Sequence, residues 1–363
     1  MKRVLLVGAG HAQLAVLTAL ARRRLPGAEV VLVSASERQV YSGMVPGLIA
    51  GRCSLDDCSI AIAPLAAAAA ARFVRGRAVA LDAAAQAVTL ADGQCIEYDV
   101  LALNTGPTQD RERLPGARDS ALFVRPIEDF AALWQRTRAL AEERALDVVV
   151  IGSGAAGVEI ALAVRHALDS RGEVTLVSDG PVLASYPLRV QQRALKVLKR
   201  RAVLVLPGRC TAIEPSHVVL GTLRVACDVP IVAIGSDPPA WLAGSGLALD
   251  AAGFVRVGAT LQSASHANVF AAGDLIVRDD LPHPRSGVYA VRAGPVLATN
   301  LRRFVAGGML QAYVPQRNSL NLLATGDGRA IASWNGWSAQ GWLMGRWKDH
   351  IDRAFVARYG SKK

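Results

Sequence analysis

Apolar positions along the chain fall into two patterns. Short unbroken runs, Val4–Val7 (VLLV) and Val148–Ile151 (VVVI), have the character of strands buried on both faces of a parallel sheet. Each is followed within a few residues by apolar positions at helical spacing, beginning near Ala12 and near Ala155. A second strand then follows in each case, at Glu29–Val33 and within EVTLVSD, which ends at Ser178 and Asp179. Strand, helix and strand in this order predict a βαβ unit, and the chain holds two. Residues 72–106 read as a β-meander with an Asp92-Gly93 hairpin turn, ending in YDVLALNTG. Later, HANVFAAGD predicts a buried strand delivering Gly273 and Asp274, and GVYAVRAGPVLATNL a helix starting near Gly287. From Gln340 onward, Leu343, Trp347, Ile351, Phe355 and Tyr359 recur every four residues, which predicts an apolar helical stripe. Arg346, Lys348, Arg353 and Arg358, with Asp349 and Asp352, are assigned to the opposite face.

The turns between the first strands and helices carry chemistry. Gly8 and Gly10 stand in the G-x-G-x-x-G frame, followed by His11 and Ala12. Such glycines permit a tight turn and let a pyrophosphate approach backbone N–H groups at a helix N-terminus. The third position is Gln13, so this helix and strand are expected to sit further apart. Where an acid often binds ribose the chain has Ser34, and Glu37 three residues on offers a substitute. The second turn is complete: Gly152, Gly154, Ala155 and Gly157, with Glu159 two residues further. Ser178 and Asp179 occupy its ribose-reading end, and no arginine follows at once to hold a 2′-phosphate. This favours NADH, with NADPH still open.

Composition narrows the picture without deciding it. At 363 residues the chain is long for one core, and its 52% hydrophobic content is that of a globular protein. The net charge of +11 is nearly all arginine, with 35 arginines against six lysines. Such an excess suits an anionic cofactor or an anionic membrane surface, and equally reflects a coding bias that also explains the alanine runs. No nucleic-acid recognition motif accompanies it, and no metal-ligand spacing is present. Five scattered cysteines form no disulfide framework, so a cytoplasmic, reducing setting is expected. The opening MKRVLLVGAG mimics a signal peptide, but its apolar run stops at Gly8.

The order of these motifs resembles the pyridine nucleotide-disulfide oxidoreductase superfamily, flavoproteins with two dinucleotide-binding domains. The resemblance covers almost the whole chain. Narrower matches, QVYSGMVPGLIAG (with Pro46), GVYAVRAGPVLATNL and GRWKDHIDRAFVARY, resemble the flavoprotein module fused to selenide, water dikinase, and the chain also resembles type II NADH dehydrogenases. The implied fold is α/β, with two Rossmann-like domains, the NAD domain inserted in the FAD domain, and a short C-terminal segment carrying an amphipathic helix. Residues 1–115 and 236–314 would form the FAD domain, 116–235 the NAD(P)H domain, and 315–363 the C-terminal segment. The resemblance implies FAD and NADH as cofactors and Asp274 on the flavin's ribityl chain. It also implies crossings between domains at Asn104-Thr105-Gly106 and Ile234-Gly235. The helix from Gly287 and Val288 would aim its N–H groups at the flavin's negative edge.

By the same resemblance Glu159 faces nicotinamide and flavin, either as a catalytic carboxylate or merely as a helix-dipole partner. In disulfide reductases a cysteine pair spaced like Cys53 and Cys58 takes electrons from the flavin. Here Asp56 and Asp57 between the sulfurs raise thiol pKa, the loop lacks the reductases' glycine, and only 48 residues follow Pro315. Electrons are therefore expected to leave the flavin directly. Cys95, Cys210 and Cys227 read as small buried residues. The C-terminal helix has two readings: packing on the FAD domain or a second subunit of a homodimer, or peripheral membrane contact near a quinone-like acceptor. Trp334 and Trp337 either line that acceptor's pocket or simply pack. Reduction of a sulfur or selenium species, or a non-catalytic redox sensor, are the alternative functions.

Overall fold

A computed structural model describes residues 1–169 and 171–360. Two five-stranded parallel sheets organise it. The first runs Val269–Ala271, Val100–Leu103, Lys2–Val7, Ala28–Ser34, Ala71–Arg75. The second runs Leu122–Phe123, Val229–Val232, Val148–Ile151, Val174–Ser178, Val203–Pro207. The unbroken runs sit centrally, and Val4–Val7 and Val148–Ile151 are buried throughout, as a sheet covered on both faces requires. Helix His11–Arg22 packs on Gly287–Val305 at close range: a Cβ on Gly294 would stand 2.7 Å from that of Ala15. Helices Ile127–Glu143, Ala155–Leu168 and Leu188–Arg200 belong to the second lobe.

The predicted meander is shorter than its sequence pattern. Only Ala78–Asp82, Ala87–Leu90 and Cys95–Glu97 form it, turning at Asp92-Gly93. Ala71–Arg75 and Val100–Leu103 belong to the parallel sheet instead. The former is an edge strand and carries Arg72 and Arg75 among its apolar residues, unlike the unbroken central runs. A second meander, Ala212–Glu214, His217–Leu220 and Leu223–Ala226, occupies the corresponding place in the second lobe.

The chain leaves the first sheet after Leu103 and re-enters it at Val269, and its two connections lie side by side. Thr108 and Asp237 exchange backbone hydrogen bonds of 2.8 Å there.

The C-terminal segment is a three-stranded antiparallel sheet, Asn321–Ala324, Ala330–Trp334 and Trp337–Gly341, followed by helix Trp342–Tyr359. The expected apolar stripe does not form one face. Each step of four residues advances about 40° round a helix, so Leu343 and Tyr359 end up on nearly opposite sides. The inward face is Gly345, Asp352, Phe355 and Tyr359, with Lys348 mostly covered. Phe355 and Tyr359 join the core of the first lobe, whereas Leu343, Trp347 and Ile351 remain 58%, 41% and 38% exposed.

Candidate functional site

A cleft of about 320 Å³ opens at the C-terminal ends of the first sheet's strands. Gly8, Gly10, His11, Ser34, Asn104, Thr105, Gly106, Gly273, Asp274 and Gly287 all line it. The glycines are there for want of room. A Cβ on Gly8, whose φ is +90°, would lie 2.5 Å from the Asn104 carbonyl oxygen, and one on Gly10 2.5 Å from Asn104 Oδ1. Asn104 does the capping that Gly10 cannot. Its Oδ1 accepts the N–H groups of Ala12 and Gln13 at 3.0 and 3.2 Å, and its Nδ2 donates to the Ala272 carbonyl at 2.7 Å. Gln13 is fully buried and donates from Nε2 to the Ala102 carbonyl at 2.8 Å.

Four expected cofactor residues sit otherwise. Glu37 points outward and pairs with Arg75 at 3.2 Å. Pro46 is buried in the short helix Val45–Ile49 and lines a different pocket. Val288 is exposed rather than facing the cleft. The Ala12 N–H is already taken by Asn104. In their place the cleft gains Arg38, Arg77, Arg125, Glu128 and Trp241. No local pattern distinguished these residues.

Two buried atoms in the cleft have no partner among the described residues, His11 Nε2 and Asp274 Oδ1. Burial, and Arg125 after it, push the His11 imidazole down to about 4, so it is neutral at pH 7. Burial likewise raises the Asp274 carboxyl, although Arg125 Nη2 lies 3.7 Å away. An unpaired buried carboxylate oxygen fits a ligand that brings hydroxyl donors.

At the second turn a Cβ on Gly152 would lie 2.6 Å from the Ala233 carbonyl oxygen and one on Gly157 only 1.7 Å from that of Gly152. Gly154 differs: an added Cβ would meet nothing within 4 Å, leaving the approach to the helix N-terminus at Ala155 open. Ser178 turns its hydroxyl to the Gly180 carbonyl at 2.6 Å. Asp179 is exposed, and Arg209, from the loop beyond the next strand, stands 4.0 Å from it. The sequence conceals that neighbour because it lies thirty residues away. Ile234 and Gly235 follow the strand Val229–Val232, with Gly235 at a φ of +40°.

Glu159 sits where helix Ala155–Leu168 meets the C-terminal segment. Its Oε1 accepts the Ala324 N–H at 2.7 Å. Burial raises its carboxyl to about 7, although Lys348 acts against the rise. Lys348 Nζ donates to the Gly43 carbonyl at 2.7 Å and to Asp352 Oδ2 at 2.8 Å. Asp352 also hydrogen-bonds Tyr41, whose ring stacks on Phe355 at 4.3 Å and meets His11 edge-on. A set of touching side chains thus runs from the cleft to Lys348, whose charge acts on Glu159.

The comparisons with known proteins follow this layout. Residues 2–294 match the family described as pyridine nucleotide-disulphide oxidoreductase. The chain belongs to that family. It is 28% identical over 286 residues to the alternative NAD(P)H-ubiquinone oxidoreductase C1 of Arabidopsis thaliana, covering 68% of this chain and 55% of that one. It is also 28% identical to ferroptosis suppressor protein 1 of Xenopus tropicalis, covering 73% and 72%. The sulfide:quinone oxidoreductase of Aquifex aeolicus superposes with a TM-score of 0.81 at 19% identity, covering 99% and 91%.

As a pyridine nucleotide-disulphide oxidoreductase, the protein is an FAD-dependent enzyme whose cofactors are FAD and NAD(P)H. The residues present fit both groups, with a glycine cradle at the first turn, the unpartnered Asp274 Oδ1 across the cleft, and the open Gly154 at the second turn. Cys53 and Cys58 are arranged differently from expectation. Asp56 turns away to pair with Arg38, and Cys53 lies below the usual thiol range through its hydrogen bond with Cys58. Cys95 is exposed rather than buried, while Cys210 and Cys227 are covered.

Proposed function

We propose that the protein oxidises NADH through FAD and passes the electrons to a quinone-like acceptor at its C-terminal face. One observation carries the reading. Trp334, Trp337, Trp342, Leu343, Trp347 and Ile351 form an exposed apolar surface on the hairpin and helix whose inner side holds Lys348. A flat, lipid-soluble acceptor matches such a surface, and the names of the Arabidopsis and Aquifex proteins include ubiquinone and quinone. The same surface supports peripheral contact with a membrane; among the described residues no helix is long and apolar enough to cross one.

When bound, FAD supplies the two-electron carrier. The chain's part is placement and protons. Gly287, at the N-terminus of its helix, lines the cleft and presents the positive end of the dipole to charge gathering there. Asp274 orients the cofactor's hydroxyls. Glu159, with a proton affinity near neutrality, gives or takes a proton at its carboxyl, and Lys348 steadies its charged form. Asp179 favours a free ribose hydroxyl and hence NADH, while Arg209 beside it offers a cation to the 2′-phosphate of NADPH.

Anaerobic stopped-flow reduction by NADH and by NADPH, followed by mixing with quinones, disulfides and selenite, tests the reading. Fast reoxidation by quinones alone is expected. Reoxidation only by a sulfur or selenium compound, or slow reduction with a long-lived charge-transfer band, overturns it.

A further inference from the structure

Cys53 and Cys58 sit outside the flavin cleft, in the loop after the short helix Val45–Ile49. Ser54 closes that loop on itself, its N–H and hydroxyl both bonding Asp57 Oδ2, at 2.9 and 2.8 Å. The Tyr41 N–H holds the Cys58 carbonyl at 2.8 Å and the Arg52 N–H that of Gly47 at 2.8 Å. Both ends of the CSLDDC turn are thus fixed, and the two thiols hydrogen-bond each other.

Their surroundings are unequal. Cys58 is fully buried among Met44, Leu48 and Ile49, and its thiol meets the Leu55 carbonyl at 3.4 Å. Cys53 is half-buried and lines a pocket of about 60 Å³ whose other walls include Arg52, Arg329, Lys348 and Arg353. Asp349 and Asp352 offset part of that charge. An accessible sulfur in a basic pocket, touching a buried second sulfur, is the layout of an attacking and a resolving thiol.

We propose that Cys53 and Cys58 form an oxidation site: Cys53 takes a small hydroperoxide at the basic pocket, and Cys58 resolves it to an intramolecular disulfide. In the first step the Cys53 thiolate attacks one peroxide oxygen. The S–O bond forms, the O–O bond breaks, and the other oxygen leaves as water or alcohol with a proton. In the second step the Cys58 sulfur attacks Cys53, an S–S bond forms, the S–O bond breaks, and a second water leaves. The two thiols lose two electrons and the peroxide gains them, so the step stands whatever acceptor the flavin uses. The Cys58 hydrogen bond, with a smaller contribution from Arg353, holds the Cys53 thiol below its usual range, against burial and the opposing Asp57 and Asp349. Its bond to Cys53, and burial after it, hold Cys58 protonated until the first step is done.

Both cysteines fall in one tryptic peptide, Cys53–Arg72, which makes the test direct. Reduced holoenzyme is titrated with hydrogen peroxide, alkylated and mapped. The peptide is expected to lose two hydrogens, reversibly with dithiothreitol, and about tenfold faster than exposed Cys95 is oxidised. Cys58→Ser should leave a sulfenic acid on Cys53 that dimedone traps, Cys53→Ser should leave Cys58 unreacted, and Arg353→Ala should slow trapping several-fold. An unchanged peptide mass while Cys95 oxidises overturns the proposal, as does the same persistent Cys53 adduct with and without Cys58.

Discussion

Lys348 reaches from the C-terminal helix to the Gly43 carbonyl, 2.7 Å away in the short 3-10 helix Ser42–Met44, whose Ser42 lines the flavin cleft. This bond ties the last element of the chain to residues more than three hundred positions earlier. Lys348→Met removes it, together with the Asp352 contact, and leaves buried carboxylates without their cation. Charge-assisted hydrogen bonds contribute on the order of 1.5–3 kcal/mol each, so denaturant unfolding of the holoenzyme should show a loss of at least about 2 kcal/mol. The midpoint would stay put if the contact were merely superficial.

Glu159 and His11 impose opposite pH dependences on stability. Glu159 rises from 4.5 to about 7 on folding, so the folded state holds its proton more tightly. Its contribution is intact below pH 4.5 and declines as pH rises through about 7, by up to about 3 kcal/mol. His11 falls from 6.5 to about 4, so its contribution is present above pH 6.5 and lost as pH falls through about 4. The two effects offset each other where the windows overlap. Glu159→Gln should therefore unmask a loss of stability on acidification, and His11→Asn a loss on alkalinisation, in urea titrations of the apoprotein from pH 4 to 8.

Asn104→Ala should injure fold and cofactor retention together. It leaves the Ala12 and Gln13 N–H groups and the Ala272 carbonyl without their partner. Caps contribute about 1 kcal/mol and each buried orphan costs about 1–3 kcal/mol, so the fall should exceed about 2 kcal/mol. Flavin absorbance remaining after gel filtration gives the second readout.

Gly154→Ala and Gly157→Ala should behave oppositely. The first meets no protein atom within 4 Å, so the unfolding midpoint should hold while KM for NADH rises about tenfold, because the pyrophosphate approach is blocked. The second places a carbon 1.7 Å from the Gly152 carbonyl oxygen and should destabilise the lobe itself.

Trp337→Ser with Trp342→Ser removes two of the largest exposed apolar side chains of the C-terminal face. Flotation with anionic liposomes should fall several-fold and reoxidation by quinone should slow with it, while flavin reduction by NADH is unchanged. Wild-type protein that fails to float ends the membrane reading.

The sequence displayed what is local. Two turns, their flanking strands and the helix at Gly287 were legible because glycine spacing and apolar runs belong to contiguous residues. Pairings across the sheet were not: Arg209 beside Asp179, Arg125 beside Asp274 and Ala324 on Glu159 leave no trace in spacing. Ala71–Arg75 was misread because this edge strand carries Arg72 and Arg75, which a buried parallel strand lacks. The terminal stripe misled because a four-residue repeat drifts round the helix, placing Lys348 and Asp352 inside. Cys53 was judged by the neighbouring aspartates, whereas Cys58 and Arg353 outweigh them in the fold.

The return of the chain to its first sheet has a consequence for synthesis. The strand Val100–Leu103 must wait, one edge bare, until Val269–Ala271 has emerged from the ribosome, while all five strands of the inserted lobe lie between residues 122 and 207 or at 229–232 and can assemble earlier. The nascent first lobe is therefore the stage most open to aggregation, and a late arrival of FAD is built into the order of the gene.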